Sequence, residues 1–414
     1  MSDTITKLIM LTGIAVFDVV LFLLLRRSFP ALKSKWRFFN WLYLFLSLLV
    51  LLCFGFLDRV FMDISLQSNR AVIGSIFMVQ TIKLVAFTFL LLDNLVRAIR
   101  ELISRWVPWI KPEVNLPGKN ISRKEFLVRA TLAAASVPLL IKGFNIVNIA
   151  YDYQVRRVRI KLPNLPRAFH GLRIGQISDI HSGSYGPNAQ VGGGVDLMLQ
   201  ERPDMVFFTG DLVNRRTDEI HEYYGIFKKL QAPLGVFSIL GNHDYGDYKT
   251  WPSPQAKRKD FELMLAAHRE LGWELLRNEN RILPGQGESL AILGVENWGI
   301  KRFSKYGKIE DAYAGSEAAS TRLLLSHDPS HWEAKVLGYP DIDVTFSGHT
   351  HGFQFGVEAG NFRWSPSQYI YKQWAGLYQK GSQYIYVNRG YGFVGMPGRI
   401  GIAPEITIIE LVRS

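Results

Sequence analysis

Five short polar clusters in the second half of the chain constrain its fold more than any other feature. Each cluster follows an apolar run, and together the clusters hold five of the nine histidines. In chain order they are Asp179-Ile180-His181, Gly210-Asp211, Gly241-Asn242-His243-Asp244, Ser326-His327-Asp328 and Gly348-His349-Thr350-His351. A polar cluster at the end of each apolar run predicts that residues far apart in the chain share one structural setting.

The apolar runs before the clusters are short, β-rich and bounded by Gly or polar residues, which is typical of buried strands. They cover residues 172–178, 205–209, 235–240, 322–325 and 344–347. Helices are predicted at 192–202, 218–230 and 259–271, and later strands at 289–295, 383–388 and 405–411. Alternating strands and helices predict an α/β fold, in which residues at the carboxyl ends of strands converge on one edge. The five clusters are therefore expected to form one pocket.

The clusters offer carboxylates, imidazoles and one amide oxygen, but no thiolate. This donor set suits Mn, Fe, Zn, Ni or Co rather than a structural zinc site built from cysteines. The seven candidate ligands are Asp179, His181, Asp211, Asn242, His327, His349 and His351. Seven ligands are too many for one ion, but they fit two ions roughly 3.5–4 Å apart with Asp211 bridging them.

The order Asp-x-His, Gly-Asp, Gly-Asn-His-Asp, His, Gly-His-x-His resembles the calcineurin-like metallophosphoesterase family, and within it the membrane-attached bacterial branch that includes enzymes like UDP-2,3-diacylglucosamine hydrolase. The resemblance covers residues from 172 to the C-terminus. It implies an α/β sandwich of four layers, with two packed mixed sheets and helices outside. It also implies a ligand set for each ion: Asp179, His181 and His351 for one, Asn242, His327 and His349 for the other, and Asp211 for both.

The resemblance also implies a mechanism. Two divalent ions lower the pKa of a bridging water, and the resulting hydroxide attacks phosphorus opposite the leaving oxygen. His243 stays unligated beside the phosphate and acts as a general acid. In many relatives an aspartate three residues after the bridging one orients this histidine, whereas this chain has Asn214. Arg389 is a further candidate, as a substrate-binding contact to the phosphate.

Residues 1–150 have a different character. The runs 8–25, 41–57 and 72–92 are apolar and long enough for a helix that crosses a bilayer, and 130–149 is a fourth, less apolar candidate. We therefore expect a transmembrane helical region of about four spans at 1–150, a connector and first strand at 151–171, and the metallophosphoesterase domain at 172–414. The expected fold is thus an α/β sandwich domain preceded by an all-α transmembrane bundle.

Loop charges predict the orientation of the spans. The loop between the first two spans and the segment after the third are rich in Lys and Arg, whereas the loop between the second and third has only Arg59 and Arg70. The positive-inside rule then places the N-terminus outside, and the fourth span returns the chain to the periplasm or cell exterior. The sequence from Ser122 to Leu127 resembles a twin-arginine export signal, with Lys124 in place of the second arginine. If the fourth segment only lies on the membrane surface, the domain faces the cytosol instead.

Two charged residues lie near the middle of predicted spans: Asp18 in the first and Lys83 in the third. Both spans run in the same direction, so the two side chains are expected at similar depth. Isolated charges are costly in a bilayer and tend to pair. We therefore predict a contact between Asp18 and Lys83; the alternatives are snorkelling, a water defect or a protonated Asp18.

The chain carries a net charge of +12, but residues 1–150 alone contribute 18 Lys and Arg against 8 Asp and Glu. The catalytic half lacks a basic excess, so no nucleic-acid partner is expected. Membrane lipids and a phosphoester substrate are the expected partners. The sequence thus predicts an enzyme of the bacterial inner membrane that hydrolyses a phosphodiester, pyrophosphate or phosphomonoester, including a lipid-linked one. The alternative is a metal-loaded membrane scaffold or lipid sensor without turnover.

Overall fold

The computed structural model describes residues 3–28, a set of helical positions between 40 and 103, and residues 149–414 apart from 187–189, 286, 301–302, 361 and 396–397. The chain divides into two compact units, Met1–Asn145 and Ile146–Ser414.

In the first unit, helix α1 (Asp3–Ser28) contains the whole of the first predicted span, 8–25. Residues of the spans predicted at 41–57 and 72–92 are described only in part, and they are helical where described. The span predicted at 130–149 lies outside the described residues apart from its last position. Among the described residues, no helix combines the length and the apolar character needed to cross a membrane.

The predicted contact between Asp18 and Lys83 is confirmed. Lys83 Nζ lies 3.0 Å and 3.1 Å from the two carboxylate oxygens of Asp18, and both side chains are buried. The same Nζ donates to Ser47 Oγ at 3.0 Å, and the Tyr43 hydroxyl donates to the main-chain oxygen of Asp18 at 2.9 Å. Ser47 and Tyr43 therefore add hydrogen bonds to the charged pair, which a buried ion pair needs.

The second unit consists of two six-stranded mixed sheets and a small hairpin. Its helices are α2 (Gly192–Gln200), α3 (Tyr224–Phe227), α4 (Pro254–Leu271), α5 (Ile309–Tyr313) and α6 (Ser330–Ala334). Its strands are β1 (Gln154–Leu162), β2 (Leu172–Ile177), β3 (Met205–Phe208), β4 (Val236–Ser238), β5 (Glu274–Leu275), β6 (Glu279–Gly285), β7 (Glu288–Gly294), β8 (Thr321–Leu325), β9 (Val344–Ser347), β10 (Val357–Ala359), β11 (Phe362–Trp364), β12 (Gly376–Lys380), β13 (Gln383–Val387) and β14 (Glu405–Arg413).

The first sheet has the order β1-β14-β2-β3-β4-β5, and the second has the order β12-β13-β9-β8-β7-β6. Strands β2 to β5 are parallel, while β14 joins β2 antiparallel and β1 parallel. In the second sheet β13, β9, β8 and β7 are parallel, and the edge strands β12 and β6 are antiparallel. The strands that precede all five polar clusters thus lie in the parallel parts of the two sheets.

Three apolar clusters show how these elements are layered. One combines inward-facing residues of both sheets, among them Phe207 and Phe346, whose rings pack edge to face at 4.8 Å. A second joins the outer face of the first sheet to residues of α2 and α4, such as Met198 and Met264. A third joins the outer face of the second sheet to α5 and α6, including Trp332. The two sheets therefore share one core, and each has helices on its other face.

The predicted mixed α/β character is confirmed, but several boundaries differ. The helix predicted at 259–271 begins at Pro254, because the Ser253 hydroxyl caps it by accepting from the main-chain N–H of Ala256 at 3.1 Å. The single helix predicted at 218–230 is instead a 3-10 helix, Thr217–Tyr223, followed by the short α3. Strand β6 was not predicted; Pro284 marks it as an edge strand, where a missing N–H is tolerated.

Candidate metal centre

All seven predicted ligands lie together, in the loops that follow strands β2, β3, β4, β8 and β9. Their side chains are buried except that of His349, which is partly exposed. The five polar clusters therefore converge at the carboxyl ends of the parallel strands, as the sequence predicts.

Asp179, His181 and His351 form the first group of donor atoms. The Nε2 atoms of His181 and His351 lie 3.0 Å apart, and His351 Nε2 lies 3.1 Å from Asp179 Oδ1. We call this group the first site. It is the same trio that the family resemblance implied for one ion.

Asp211, His327 and His349 form the second group, and Asn242 adjoins it. His327 Nε2 lies 3.2 Å from Asp211 Oδ2, 3.2 Å from Asn242 Oδ1 and 3.3 Å from His349 Nδ1. We call Asn242, His327 and His349 the second site. Asp211 Oδ2 is also 3.5 Å from His181 Nε2, so this carboxylate stands between the two sites.

The hydrogen bonds of His327 show that the donor atoms fit a cation. Its Nδ1 lies 2.7 Å from the main-chain oxygen of Thr209, which can only accept, so Nδ1 carries a hydrogen. In the neutral ring Nε2 therefore carries a lone pair instead of a hydrogen. This lone pair faces the side-chain oxygen atoms of Asp211 and Asn242. Acceptor atoms that face each other without a hydrogen repel, and a divalent ion among them removes that repulsion.

The pKa shifts point the same way for most of the ligands. Burial raises the pKa of the Asp179 and Asp211 carboxyls, but the neighbouring histidines outweigh it and hold both below their usual range. Burial lowers the pKa of His181 and His349, which favours neutral rings. Ionised carboxylates and neutral imidazoles are the forms that bind metal ions.

His327 is the exception. Burial lowers its pKa, but the Asp211 carboxylate outweighs burial and raises it above the usual value. Without a cation, a proton on His327 Nε2 relieves the repulsion described above. A divalent ion bound there would displace this proton, so binding is expected to release it.

His243 lies beside the ligands and is held by the main chain. The ring Nδ1 of His243 is 2.7 Å from the carbonyl oxygen of Asn214. The main-chain N–H of His243 donates to Asp211 Oδ1 at 2.8 Å. Burial lowers the pKa of its imidazole. The main-chain carbonyl of Asn214 therefore orients His243, while the side-chain Oδ1 of Asn214 contacts His181 Nδ1 at 2.9 Å.

The main chain at the site adopts an uncommon conformation. Five of the seven predicted ligands have left-handed backbone conformations, with φ between 49° and 69°: Asp179, His181, Asp211, His349 and His351. Such conformations are costly for residues other than glycine, and they cluster at functional sites where the surrounding structure holds them. Here the turn at each strand end directs the side chain towards the other loops.

Asp244 was not predicted to have a role. Its carboxylate accepts from the main-chain N–H groups of Asp211, Leu212 and Gly241 at 2.8–2.9 Å. It therefore ties the loop of Asp211 to the loop of Asn242. Burial, assisted by Asp211, raises the pKa of Asp244 to about 7. Its position next to His243 in the third cluster was the available sequence signal.

The structure does not support Arg389 as a phosphate contact. Its side chain is 3% exposed and lies between two carboxylates, with Nη1 at 2.6 Å from Glu405 and Nη2 at 2.7 Å from Glu358. All described hydrogen bonds of its guanidinium go to these two residues. Arg389 therefore holds the Glu358 hairpin (β10 and β11) and strand β14 together.

Comparison with known proteins identifies the family. The calcineurin-like phosphoesterase family matches residues 172–353, and a family described as a probable calcineurin-like phosphoesterase, transmembrane domain, matches residues 4–148. YkuE, an uncharacterised metallophosphoesterase of Bacillus subtilis, is 31% identical over 303 residues, which cover 71% of this chain and 98% of YkuE. The chain belongs to the calcineurin-like phosphoesterase family. It is therefore a metal-dependent hydrolase of phosphoric esters, and its N-terminal match makes it a membrane protein.

Two further relatives resemble this calcineurin-like phosphoesterase. A transmembrane protein with a metallophosphoesterase domain from Danio rerio is 28% identical over 296 residues, which cover 69% of this chain and 63% of that protein. The UDP-2,3-diacylglucosamine pyrophosphatase LpxG of Chlamydia trachomatis is 28% identical over 280 residues, which cover 55% of this chain and 81% of LpxG. This chain thus spans less than two thirds of the Danio rerio protein.

Proposed function

We propose that this membrane protein is a dinuclear phosphoesterase that hydrolyses a phosphodiester or a pyrophosphate. The observation that supports this most directly is the position of Asp211, whose Oδ2 lies 3.5 Å from His181 in the first site and 3.2 Å from His327 in the second. One carboxylate within reach of both groups is the arrangement that two ions need in order to share a ligand.

The residue roles follow from the two groups. Asp179, His181 and His351 would hold one ion, and Asn242, His327 and His349 the other, with Asp211 shared. Nitrogen and oxygen donors without thiolate suit Mn, Fe, Zn, Ni or Co. When bound, the ions would supply polarisation of the phosphoryl group and a water acidic enough to attack at neutral pH.

His243 would act on the leaving group. Because its Nδ1 donates to the main-chain oxygen of Asn214, its ring orientation is fixed and Nε2 is the atom left to exchange a proton. Tyr248 stacks on the ring at 4.1 Å between centroids and restricts its rotation further. A positioned imidazole of this kind contributes on the order of 10²–10⁴-fold as a general acid.

We propose a lipid-linked substrate. Membership of a transmembrane family and the likeness to LpxG, named for a pyrophosphatase that acts on a diacylated sugar nucleotide, support this choice. Exposed apolar side chains that follow the ligand His351 in the chain also support it, since Phe362 is 62% exposed and Tyr369 is 75% exposed. A phosphomonoester remains the second choice of substrate.

For the whole chain we propose a multi-pass region at 1–150, a connector with the first strand at 151–171 and the catalytic domain at 172–414. The loop charges support a catalytic domain on the outer side of a bacterial inner membrane. A phosphatase-reporter fusion at Ser414 tests the orientation: activity in the periplasm is expected, and activity only in the cytosol would reverse the assignment.

Hydrolysis of bis-p-nitrophenyl phosphate with Mn²⁺ tests the activity. The parent should turn over, and His243→Ala should lose about 10²–10⁴-fold in kcat while keeping its metal content. Asp211→Asn should lose bound metal as well as activity. Two ions per chain without hydrolysis of any phosphoester would favour the alternative of a metal-loaded scaffold or lipid sensor. If the parent hydrolyses the test ester, lipid extracts compared with and without the protein would identify the substrate.

A further inference from the structure

Two tyrosine hydroxyls contact ligands of the second site, and neither tyrosine belongs to the polar clusters. Tyr371 contacts His349, and Tyr248 contacts Asn242. We propose that Tyr248 and Tyr371 are positioning residues that set the metal affinity of the second site and not that of the first. The inference rests on the proposed ligand roles and goes beyond them, because it explains how the two sites come to differ.

Tyr371 holds the His349 ring so that Nδ1, and not Nε2, points into the second site. Its hydroxyl oxygen lies 2.8 Å from His349 Nε2, while His349 Nδ1 points at His327 Nε2. A metal ion on Nδ1 requires the ring hydrogen on Nε2, and a hydroxyl oxygen at that distance accepts it. This bond holds the ring orientation of a candidate ligand, as outer partners of metal-bound histidines do.

Asp328 and Phe303 reinforce the same orientation. Asp328 Oδ2 lies 3.6 Å from His349 Nε2 and is buried without a hydrogen-bond partner among the described residues. Its negative charge favours a hydrogen on that nitrogen. Phe303 packs edge to face on the His349 ring at 5.0 Å, and Tyr371 does so at 5.4 Å. The imidazole therefore packs against two aromatic rings and is hydrogen-bonded at one nitrogen.

Tyr248 determines which end of the Asn242 amide faces the site. Asn242 Nδ2 donates to the Tyr248 hydroxyl at 2.8 Å, so the amide oxygen points the other way, to within 3.2 Å of His327 Nε2. An amide rotated by 180° would present its NH₂ group, which cannot bind a cation. The Tyr248 ring, stacked on His243, is itself fixed in place.

The first site is held by different groups. His181 Nδ1 contacts the Asn214 side chain, and Asp179 accepts from the main-chain N–H of His349 at 3.0 Å. Among the described residues, no tyrosine hydroxyl is hydrogen-bonded to Asp179, His181 or His351. Loss of either tyrosine hydroxyl should therefore weaken one ion much more than the other.

The test is Mn²⁺ binding to the full chain in detergent, measured by equilibrium dialysis with elemental analysis. The parent should bind two ions. Tyr371→Phe and Tyr248→Phe should each weaken one ion by about 10–100-fold, the range typical of lost outer partners, and leave the other nearly unchanged. Tyr369→Phe is the matched control, since Tyr369 is exposed and its hydroxyl contacts Trp364 rather than a candidate metal ligand.

Electron paramagnetic resonance gives a second readout that does not depend on activity. At two Mn²⁺ per chain the parent should show a coupled pair of ions, and each variant should show the signal of a single ion until Mn²⁺ is raised. Melting of the metal-free proteins shows whether a variant has merely failed to fold. Unchanged affinities for both ions, or equal weakening of both in a folded variant, would overturn the inference. A parent that binds fewer than two ions would overturn the proposed function as well.

Discussion

Nδ1 of His243 lies 2.7 Å from the main-chain oxygen of Asn214, while the Asn214 side chain lies 2.9 Å from Nδ1 of His181. One residue therefore holds two histidines with different roles, one through its backbone and one through its side chain. A substitution at position 214 removes the contact to His181 and leaves the carbonyl that orients His243.

Asn214→Ala is expected to weaken the first ion by about 10–100-fold, because an outer partner of the ligand His181 is lost. At saturating Mn²⁺ its kcat should stay close to that of the parent, since the carbonyl contact to His243 remains. Metal titration combined with kcat at saturating metal measures both effects. A kcat loss at saturating metal as large as that of His243→Ala would contradict the assignment.

Lys83→Met is expected to destabilise the N-terminal unit by about 3–5 kcal/mol, because it leaves the buried carboxylate of Asp18 without its cation. Adding Asp18→Asn should restore part of the loss, with a coupling of about 1–3 kcal/mol in a double-mutant cycle. Reversible unfolding in mixed detergent measures the free energies. Ser47→Ala, which removes one neutral partner of Lys83, should cost only about 1 kcal/mol. Additive losses in the double variant would show that the pair is not coupled.

Arg389→Met is expected to lower the stability of the catalytic domain by about 3–5 kcal/mol, because the fully buried Glu405 loses its nearer charged partner and keeps only Arg156 at 3.5 Å. The KM of the remaining folded enzyme should not change, since the guanidinium is buried between two carboxylates. Arg159→Met is the matched control: its pair with Glu410 is exposed, so the loss should be at most about 1 kcal/mol. A raised KM without destabilisation would restore Arg389 as a phosphate contact.

The stability of the catalytic domain should fall as pH decreases below about 6.5, in part because of His268. This residue is fully buried, and burial lowers its pKa from 6.5 to about 3. At pH values between about 3 and 6.5, the unfolded chain binds a proton at His268 that the folded chain does not bind. The free energy of unfolding therefore rises with pH by up to about 1.4 kcal/mol per pH unit. Above pH 6.5 both states are neutral at this position and the effect vanishes.

His268→Phe should remove this contribution, so the difference in unfolding free energy between parent and variant should depend on pH only below about 6.5. Urea unfolding at several pH values measures it. Phe keeps the packing against Phe208 and Trp273 but loses the bond to Ser238 Oγ, which shifts the stability equally at all pH values. His221→Phe, at an exposed position, serves as the control. Parallel pH curves for His268→Phe and the parent would show that His268 does not titrate as stated.

Much of the metal centre could be predicted because each ligand follows a strand of strongly apolar, β-rich sequence. The end of such a strand fixes where its cluster lies, so the convergence of the seven candidate ligands could be predicted from local patterns together with the family motif. The pairing of Asp18 with Lys83 was also predictable across 65 positions, since a membrane leaves charges few partners at the same depth.

The surroundings of Arg389 could not be predicted, for the opposite reason. Its sequence neighbours are glycines and a tyrosine, and nothing near it in the chain indicates that Glu358 and Glu405 surround its guanidinium. Burial of a charge depends on which distant carboxylates the fold brings to it. The same applies to Asp244, whose hydrogen bonds reach 32 and 33 positions back along the chain.

The sequence by itself determined the chemistry of this protein: which donor atoms are present, that each follows a buried strand, and that apolar segments precede the catalytic domain. Only the tertiary structure decided how each donor is oriented. The nitrogen of His349 that faces the second site, the end of Asn242 that faces it and the carbonyl that holds His243 all depend on contacts between loops. Strand patterns are local and repeat along the chain, whereas a hydrogen-bond partner is set by the packing of segments that the sequence separates.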